Sequence, residues 1–224
     1  DADIQIAEIV LAGTGVSVEV IAGGRRLGRL ALRVPGRHNA LNAAAALTAG
    51  LGLGFGSGQL REGLAGFTGT RRRFELKGYA GGVWVYDDYA HHPTEVSAVL
   101  AAARPLAGDG RVVAIFQPHL FSRTRIFATE FGKALGAADE VIVMDVYAAR
   151  EDPEPGVTGA LVAEAVPLPP ESVTFVPSWS AVPTVAASRL RQGDVVFTFG
   201  AGDVTLVGPE ILDLLDNESA GQHS

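Results

Sequence analysis

From residue 74 onward the chain repeats one pattern, a short apolar run followed by a stretch with helical spacing. The runs are Val83-Trp84-Val85-Tyr86 and then residues 112–116, 141–146, 173–176 and 195–199. They are rich in β-branched residues and almost unbroken, as strands are when both faces are covered. The helical stretches fall near residues 94–104, 122–136, 157–165, 180–191 and 207–216. In the second of these, Phe127, Phe131 and Leu135 recur every four residues and mark one face. Five strands alternating with helices predict an α/β fold with a parallel sheet and right-handed crossovers.

The first third reads differently. Residues 1–35 have a β pattern, in which Val16, Val18 and Val20 alternate with polar neighbours. Leu30, Leu32 and Val34 do the same beyond a Gly23-Gly24 turn. This is a hairpin with one buried face, closed by Pro35-Gly36. Arg37-His38-Asn39-Ala40-Leu41-Asn42 then leads into an Ala-rich helix over residues 43–49, ended by Gly50 and Gly52. A second short helix runs from Ser57, read as its N-cap, through Leu60, Leu64 and Phe67. Thr68-Gly69-Thr70 and three arginines make a polar break, so the domain boundary is placed between residues 67 and 68. The polar tail from residue 217 is expected to fray.

Composition narrows the function classes. A net charge of −7 argues against a nucleic-acid-coating protein, and zero cysteines exclude disulfides, thiolate metal sites and a Cys nucleophile. No apolar run approaches the roughly 20 residues that span a bilayer, and no signal peptide opens the chain, so a cytoplasmic protein is expected. The chain starts at Asp1 in a strand-like pattern without an initiating Met, as a piece of a longer protein would.

In open parallel sheets, ligands bind beyond the carboxyl ends of the strands. The residues just after each run are therefore informative. The first run leads into Asp87, Asp88, Tyr89, His91, His92, Pro93, Thr94 and Glu95. Beyond the second come Gln117, Pro118, His119, Ser122, Arg123 and Arg125, and beyond the third Tyr147, Arg150, Glu151 and Asp152. The last leads into Gly200-Ala201-Gly202-Asp203, while the opposite edge receives ordinary turn residues such as Gly108-Asp109-Gly110 and Gly193. A connecting turn needs none of this chemistry, since one capping Thr or Asp would serve.

Each group has a functional and a plain reading. Arg123 and Arg125 sit in a first helical turn, where the dipole disfavours cations, so they call for a carboxylate or phosphate. A surface acid would satisfy them as well. Gly200 and Gly202 leave room for a ligand, or form a simple turn. Asp87 or Asp88 suits ribose hydroxyls. His91, His92, His119 and the two Asp offer a metal-dependent hydrolase site, although no His-x-x-x-His pair is present. There is no Gly-x-x-x-x-Gly-Lys-Ser/Thr loop, and the two lysines, Lys77 and Lys133, follow no glycine-rich phosphate turn.

Six motifs together resemble the Mur ligases of peptidoglycan synthesis. They are Pro35-Gly36-Arg37-His38-Asn39-Ala40-Leu41-Asn42-Ala43, Arg72-Arg73-Phe74-Glu75, residues 87–95, Phe116-Gln117-Pro118-His119, Ser122-Arg123-Thr124-Arg125 and Gly200-Ala201-Gly202-Asp203. The His-His-Pro-Thr-Glu and Gln-Pro-His forms are similar to the branch that joins L-alanine to UDP-N-acetylmuramate. A branch that adds a recycled tripeptide shares most of them. The resemblance implies ATP-dependent amide formation through an acyl phosphate, with Mg2+ on the nucleotide, in cell-wall precursor synthesis. It implies that residues 1–67 end a central ATP-binding domain and that residues 68–224 form the Rossmann-like C-terminal domain. It implies that His38, Asn39 and Asn42 face adenine, that Arg73 reaches ribose or phosphates, and that Asp88 binds ribose. Tyr89, His91, His119 and Arg123 would surround the L-alanine. The family commonly carries Arg where this chain has Leu120. The phosphate loop and the UDP-binding domain are not in these residues, so the chain alone is expected to be inactive.

Overall fold

The structure, a computed structural model, describes residues 2–12 and 15–221. It divides into two compact units, Asp1–Thr70 and Arg71–Ser224.

In the first unit, strands β1 (Ile4–Ala12), β2 (Gly15–Ala22) and β3 (Arg25–Leu32) form an antiparallel sheet in chain order. The Gly23-Gly24 turn closes the expected hairpin with both φ angles positive, at 52° and 75°, which suits its right-handed twist. Val16, Val18, Val20, Leu30 and Leu32 are buried under helix α1 (Arg37–Gly52) and helix α2 (Ser57–Ala65). Helix α1 starts at Arg37, ahead of the expected alanine run. Gly36, at φ 94°, turns the chain straight into it with no side-chain cap to announce the start. Ser57 is likewise the first helical residue and Gly56 the cap.

The second unit is a six-stranded sheet. Its elements are β4 (Glu75–Ala80), β5 (Val83–Asp88), α3 (Pro93–Ala107), β6 (Val112–Phe116), α4 (Phe121–Leu135), β7 (Glu140–Met144), α5 (Ala160–Glu164), β8 (Val173–Val176), α6 (Val182–Arg189), β9 (Val195–Phe199) and α7 (Val207–Gly221). The order is β4-β5-β9-β6-β7-β8. The five expected strands pair in parallel. Strand β4 is an addition, antiparallel to β5 at the edge. Its Gly78, the Gly81-Gly82 turn and its exposed Leu76 and Tyr79 give it no apolar run to recognise. Val96, Leu100, Phe116, Phe131, Phe197 and Phe199 fill one side of the sheet under α3 and α4. Val83, Val85, Ile115, Ile142, Val182 and Ile211 fill the other under α6 and α7. Helix α7 continues through Gly221 where fraying was expected from residue 217, and residues 222–224 lie outside the described residues.

The edge away from the expected site is not only turns. Arg111 grips both oxygens of Asp194 at 3.0 and 2.6 Å and donates to Glu140 at 2.7 Å, and Arg189 closes on Glu140. Glu140 and Asp194 are buried, and the two guanidiniums compensate them. At the carboxyl edge β9 lies between β5 and β6, so the loops after these three strands meet there. Among the described residues no helix is long and apolar enough to cross a membrane.

Candidate active site

The two aspartates end strand β5 instead of sitting in a turn. Asp87 is fully buried and satisfied internally. Thr198 Oγ1 donates to it at 2.6 Å, Thr205 Oγ1 at 2.8 Å and Arg72 Nε at 2.9 Å. The rest of the Arg72 guanidinium donates to the carbonyls of Gly200 at 2.7 Å and Gly202 at 3.2 Å. Asp88 accepts the N–H of Phe74 and of Ala90, each at 2.8 Å. Burial pushes its carboxyl up to about 6, against the pull of those N–H groups and of Arg73, while Asp87 adds to the rise. Arg72 and Phe74 both hold left-handed backbone, at φ 57° and 52°, a strain of about 1–3 kcal/mol each that persists only where surroundings enforce it. The two aspartates enforce it here. Arg73 points outward, half-exposed, 3.8 Å from Asp88 and 4.0 Å from Glu95.

The room expected beside Gly200 and Gly202 is occupied by the protein itself. A Cβ on Gly202 would meet Gln117 Oε1 at 2.4 Å and the Tyr147 ring at 2.6 Å; one on Gly200 would meet the Gln117 carbonyl at 2.7 Å. The glycines let this turn pack on Gln117, whose side chain ties Asp203 and Val204. His92 and Glu95 are also structural. His92 caps α3 through Thr94 N, and Glu95 returns to the N–H groups of His92 at 3.2 Å and His91 at 2.9 Å. A capping box thus places His at the N-cap, where Ser or Thr is usual.

The remaining groups face outward. His91 Nδ1 donates to the Tyr89 carbonyl at 3.0 Å and lies 3.5 Å from Glu95 Oε2, so the tautomer with its proton on Nδ1 leaves Nε2 as an acceptor. Arg72 and Arg73 lie 5.0 and 5.8 Å from the Tyr89 ring centre. The His91 and His119 rings are 6.5 Å apart. Arg123 Nη1 approaches His119 Nδ1 at 3.4 Å, a long contact. A guanidinium only donates, so Nδ1 is the bare nitrogen of His119 and Nε2 carries the proton. Burial, then Arg123 and His91, lower the pKa of His119, against an opposing pull from Glu151, and so favour the neutral ring.

The two arginines of α4 part ways. Arg125 is answered by Glu154 at 2.9 Å, a surface pairing of the plain kind. Among the described residues no carboxylate pairs with Arg123. Glu151 accepts from Ser122 N at 2.9 Å and Ser122 Oγ at 2.5 Å, and these bonds lower its pKa. Leu120, the cap residue of α4, is held at φ 72°.

The structure therefore gathers Tyr89, His91, His119 and Arg123 at one edge, with Arg73 and Asp88 beside Tyr89. His38, Asn39 and Asn42 are in the other unit, on the first two turns of α1. Asn39 Nδ2 there donates to the Pro35 carbonyl at 2.7 Å, and Asn42 is exposed. Among the described residues no three His, Asp or Glu side chains converge as a metal site would require. Arg72 and Tyr147 were named in the sequence, one in a motif and one after a strand, but neither was given a role. Arg72 is hidden in a run of three arginines, and Tyr147 stands alone after its strand.

A mostly parallel sheet whose carboxyl edge brings together His91, His119 and Arg123 defines an α/β domain with one candidate site at that edge. A family model described as Mur ligase, glutamate ligase domain matches residues 72–202. The chain belongs to the Mur ligase family. It is 60% identical over 214 residues to the UDP-N-acetylmuramate–L-alanine ligase of Kineococcus radiotolerans, covering 96% of this chain and 45% of that protein. The protein of that name from Saccharopolyspora erythraea is 59% identical, covering 92% and 42%. Among solved structures, the UDP-N-acetylmuramate-alanine ligase of Thermotoga maritima matches with a TM-score of 0.76 at 26% identity, covering 97% of this chain and 46% of that one. The chain spans a little under half the length of these relatives.

Proposed function

We propose that the chain is part of an ATP-dependent ligase joining L-alanine to UDP-N-acetylmuramate, with residues up to about 70 closing an ATP-binding domain and the rest forming the amino-acid-binding domain. ATP, with Mg2+ on its phosphates, supplies the phosphoryl group that makes the muramyl carboxylate an acyl phosphate. Among the described residues no three His, Asp or Glu side chains converge as ligands for that ion, and in this reading the ATP phosphates hold it. In this reading Arg123 and the Nε2–H of His119 hold the alanine carboxylate, and His91 Nε2 accepts a hydrogen bond from the amine. Tyr89 walls the pocket. His38, Asn39 and Asn42 serve adenine, and Arg73 serves the ribose or phosphates. Each Asp88 oxygen accepts one backbone N–H and keeps a second lone pair for a ribose hydroxyl.

The observation that carries this reading is Arg123, without a carboxylate partner among the described residues, beside His119, in a chain 60% identical to a protein named for this ligation. Neither the recycled-tripeptide branch nor a metal hydrolase has a comparable observation behind it. The test is phosphate release by the longer protein that carries this chain. Release should require ATP, UDP-N-acetylmuramate and L-alanine together, and release with a tripeptide but not with L-alanine would refute the reading. The 224 residues alone should neither ligate nor hydrolyse ATP, because they lack a Lys-bearing phosphate loop to stabilise the transferred phosphoryl group.

A further inference from the structure

We infer that Tyr147 is a positioning residue of the amino-acid pocket: its ring, seated on Gly202, holds His119 against Arg123 with the His119 Nε2–H turned to the substrate carboxylate. The inference rests on the ligase reading and extends it to a residue outside the six motifs.

Three observations support it. The Tyr147 and His119 rings lie nearly parallel, with centroids 5.7 Å apart and 16° between planes. The backbones are tied as an isolated parallel bridge, with Leu120 N donating to the Tyr147 carbonyl at 3.0 Å and Tyr147 N to the Pro118 carbonyl at 2.8 Å. Beneath Tyr147, Gly202 approaches so closely that any Cβ would strike the ring. The loop that carries Tyr147 is itself pinned to α4, through Glu151 to Ser122 and Glu154 to Arg125. One face of the imidazole is thereby covered and its plane set. The groups that act on its charge are Arg123 from α4, His91 from the loop after β5, and Glu151 and Arg150 from the Tyr147 loop. Most of these, with the covering ring, favour the neutral form that leaves Nδ1 bare for Arg123.

The test has two readouts. In this chain, the titration midpoint of His119 is followed by NMR of its ring protons. Tyr147→Ala should raise the midpoint by uncovering the imidazole, and Tyr147→Phe should keep it near wild type, because the ring and not the hydroxyl does the covering. Should Tyr147→Ala fold poorly, Tyr147→Leu retains bulk without a flat face and should still raise the midpoint. Gly202→Ala should act in the same direction by pushing the ring away. In the longer protein, Tyr147→Ala should raise the KM for L-alanine about 3- to 10-fold, the worth of one aromatic stack. The KM for ATP should stay within about twofold, and Tyr147→Phe should recover the alanine value. An unmoved His119 midpoint in both Tyr147→Ala and Tyr147→Leu would overturn the inference. So would KM values for alanine and ATP that rise together, which would mean general loss of structure. If the wild-type protein takes no L-alanine, the ligase reading fails, while the His119 titration still decides whether Tyr147 holds that ring.

Discussion

Arg72 and Arg73 are neighbours with the same side chain, and the structure assigns them opposite energetic roles. Arg72→Ala removes the cation paired with a fully buried carboxylate and strips charged donors from two carbonyls. Breaking a buried ion pair from one side costs about 3–5 kcal/mol, because the remaining charge stays desolvated. Asp87 keeps two hydroxyl donors, from Thr198 and Thr205, so the lower end applies, at about 3 kcal/mol. The Arg72 side chain is 21% exposed, so solvent screening trims this little. Arg73 is 48% exposed, and its nearest carboxylate oxygens are 3.8 and 4.0 Å away. Arg73→Ala should cost under about 1 kcal/mol. Urea unfolding followed by tryptophan fluorescence measures this cleanly. The only two tryptophans, Trp84 and Trp179, both lie in the second unit, so the signal reports that unit. With a urea m-value of about 1–3 kcal/mol/M, the Arg72→Ala midpoint should drop by about 1–3 M. Equal losses in the two variants, or an Arg72→Ala midpoint at the wild-type value, would show that the Asp87 pair does not hold this edge together.

The same edge yields two further predictions. Arg123→Ala should remove a charge-assisted contact worth about 1.5–3 kcal/mol, which is roughly 10- to 150-fold in kcat/KM for L-alanine in the longer protein. Saturation kinetics should show ATP affinity nearly unchanged, and the reverse pattern would move this arginine to the phosphates. For Asp88, the folded carboxyl titrates near 6, above its unfolded value, so the folded state binds the proton more tightly. Its contribution to stability is therefore largest at acid pH, falls as pH rises from about 4 to about 6, and is level beyond, by up to about 3 kcal/mol. Urea midpoints between pH 4 and 7 should lose that slope in Asp88→Asn, and an identical slope in both proteins would refute the assignment.

The division between structural and ligand-facing groups was only partly legible in the sequence. Hydrophobic runs marked the five parallel strands because those strands are covered on both faces. The same criterion ended strand β5 at Tyr86, since two acids interrupt the run. The register carries the strand on, pairing Asp87 with Thr198 and Asp88 with Phe199. Consecutive strand residues point to opposite faces, so the aspartates cannot act as a pair. Asp87 turns to Thr205 and Arg72, while Asp88 takes the N–H groups of Phe74 and Ala90. Residue type alone carries no direction, which is why acids, imidazoles and glycines along this edge looked equally suited to a ligand. Glu95 and His92 were absorbed by a helix cap, and Gly200 and Gly202 by contact with Gln117 and Tyr147. Arg125 found Glu154, in the loop after β7, which has no regular pattern to read. Arg123 keeps the reading it had from its position against the helix dipole, since among the described residues no carboxylate pairs with it. In the proposed ligase reading, Arg123, which has no carboxylate partner among the described residues, takes an anion from outside, with the Nε2–H of His119 as a second donor and Nε2 of His91 as an acceptor. A zwitterionic amino acid offers the matching carboxylate and amine, which neither a phosphate nor a simple carboxylate does.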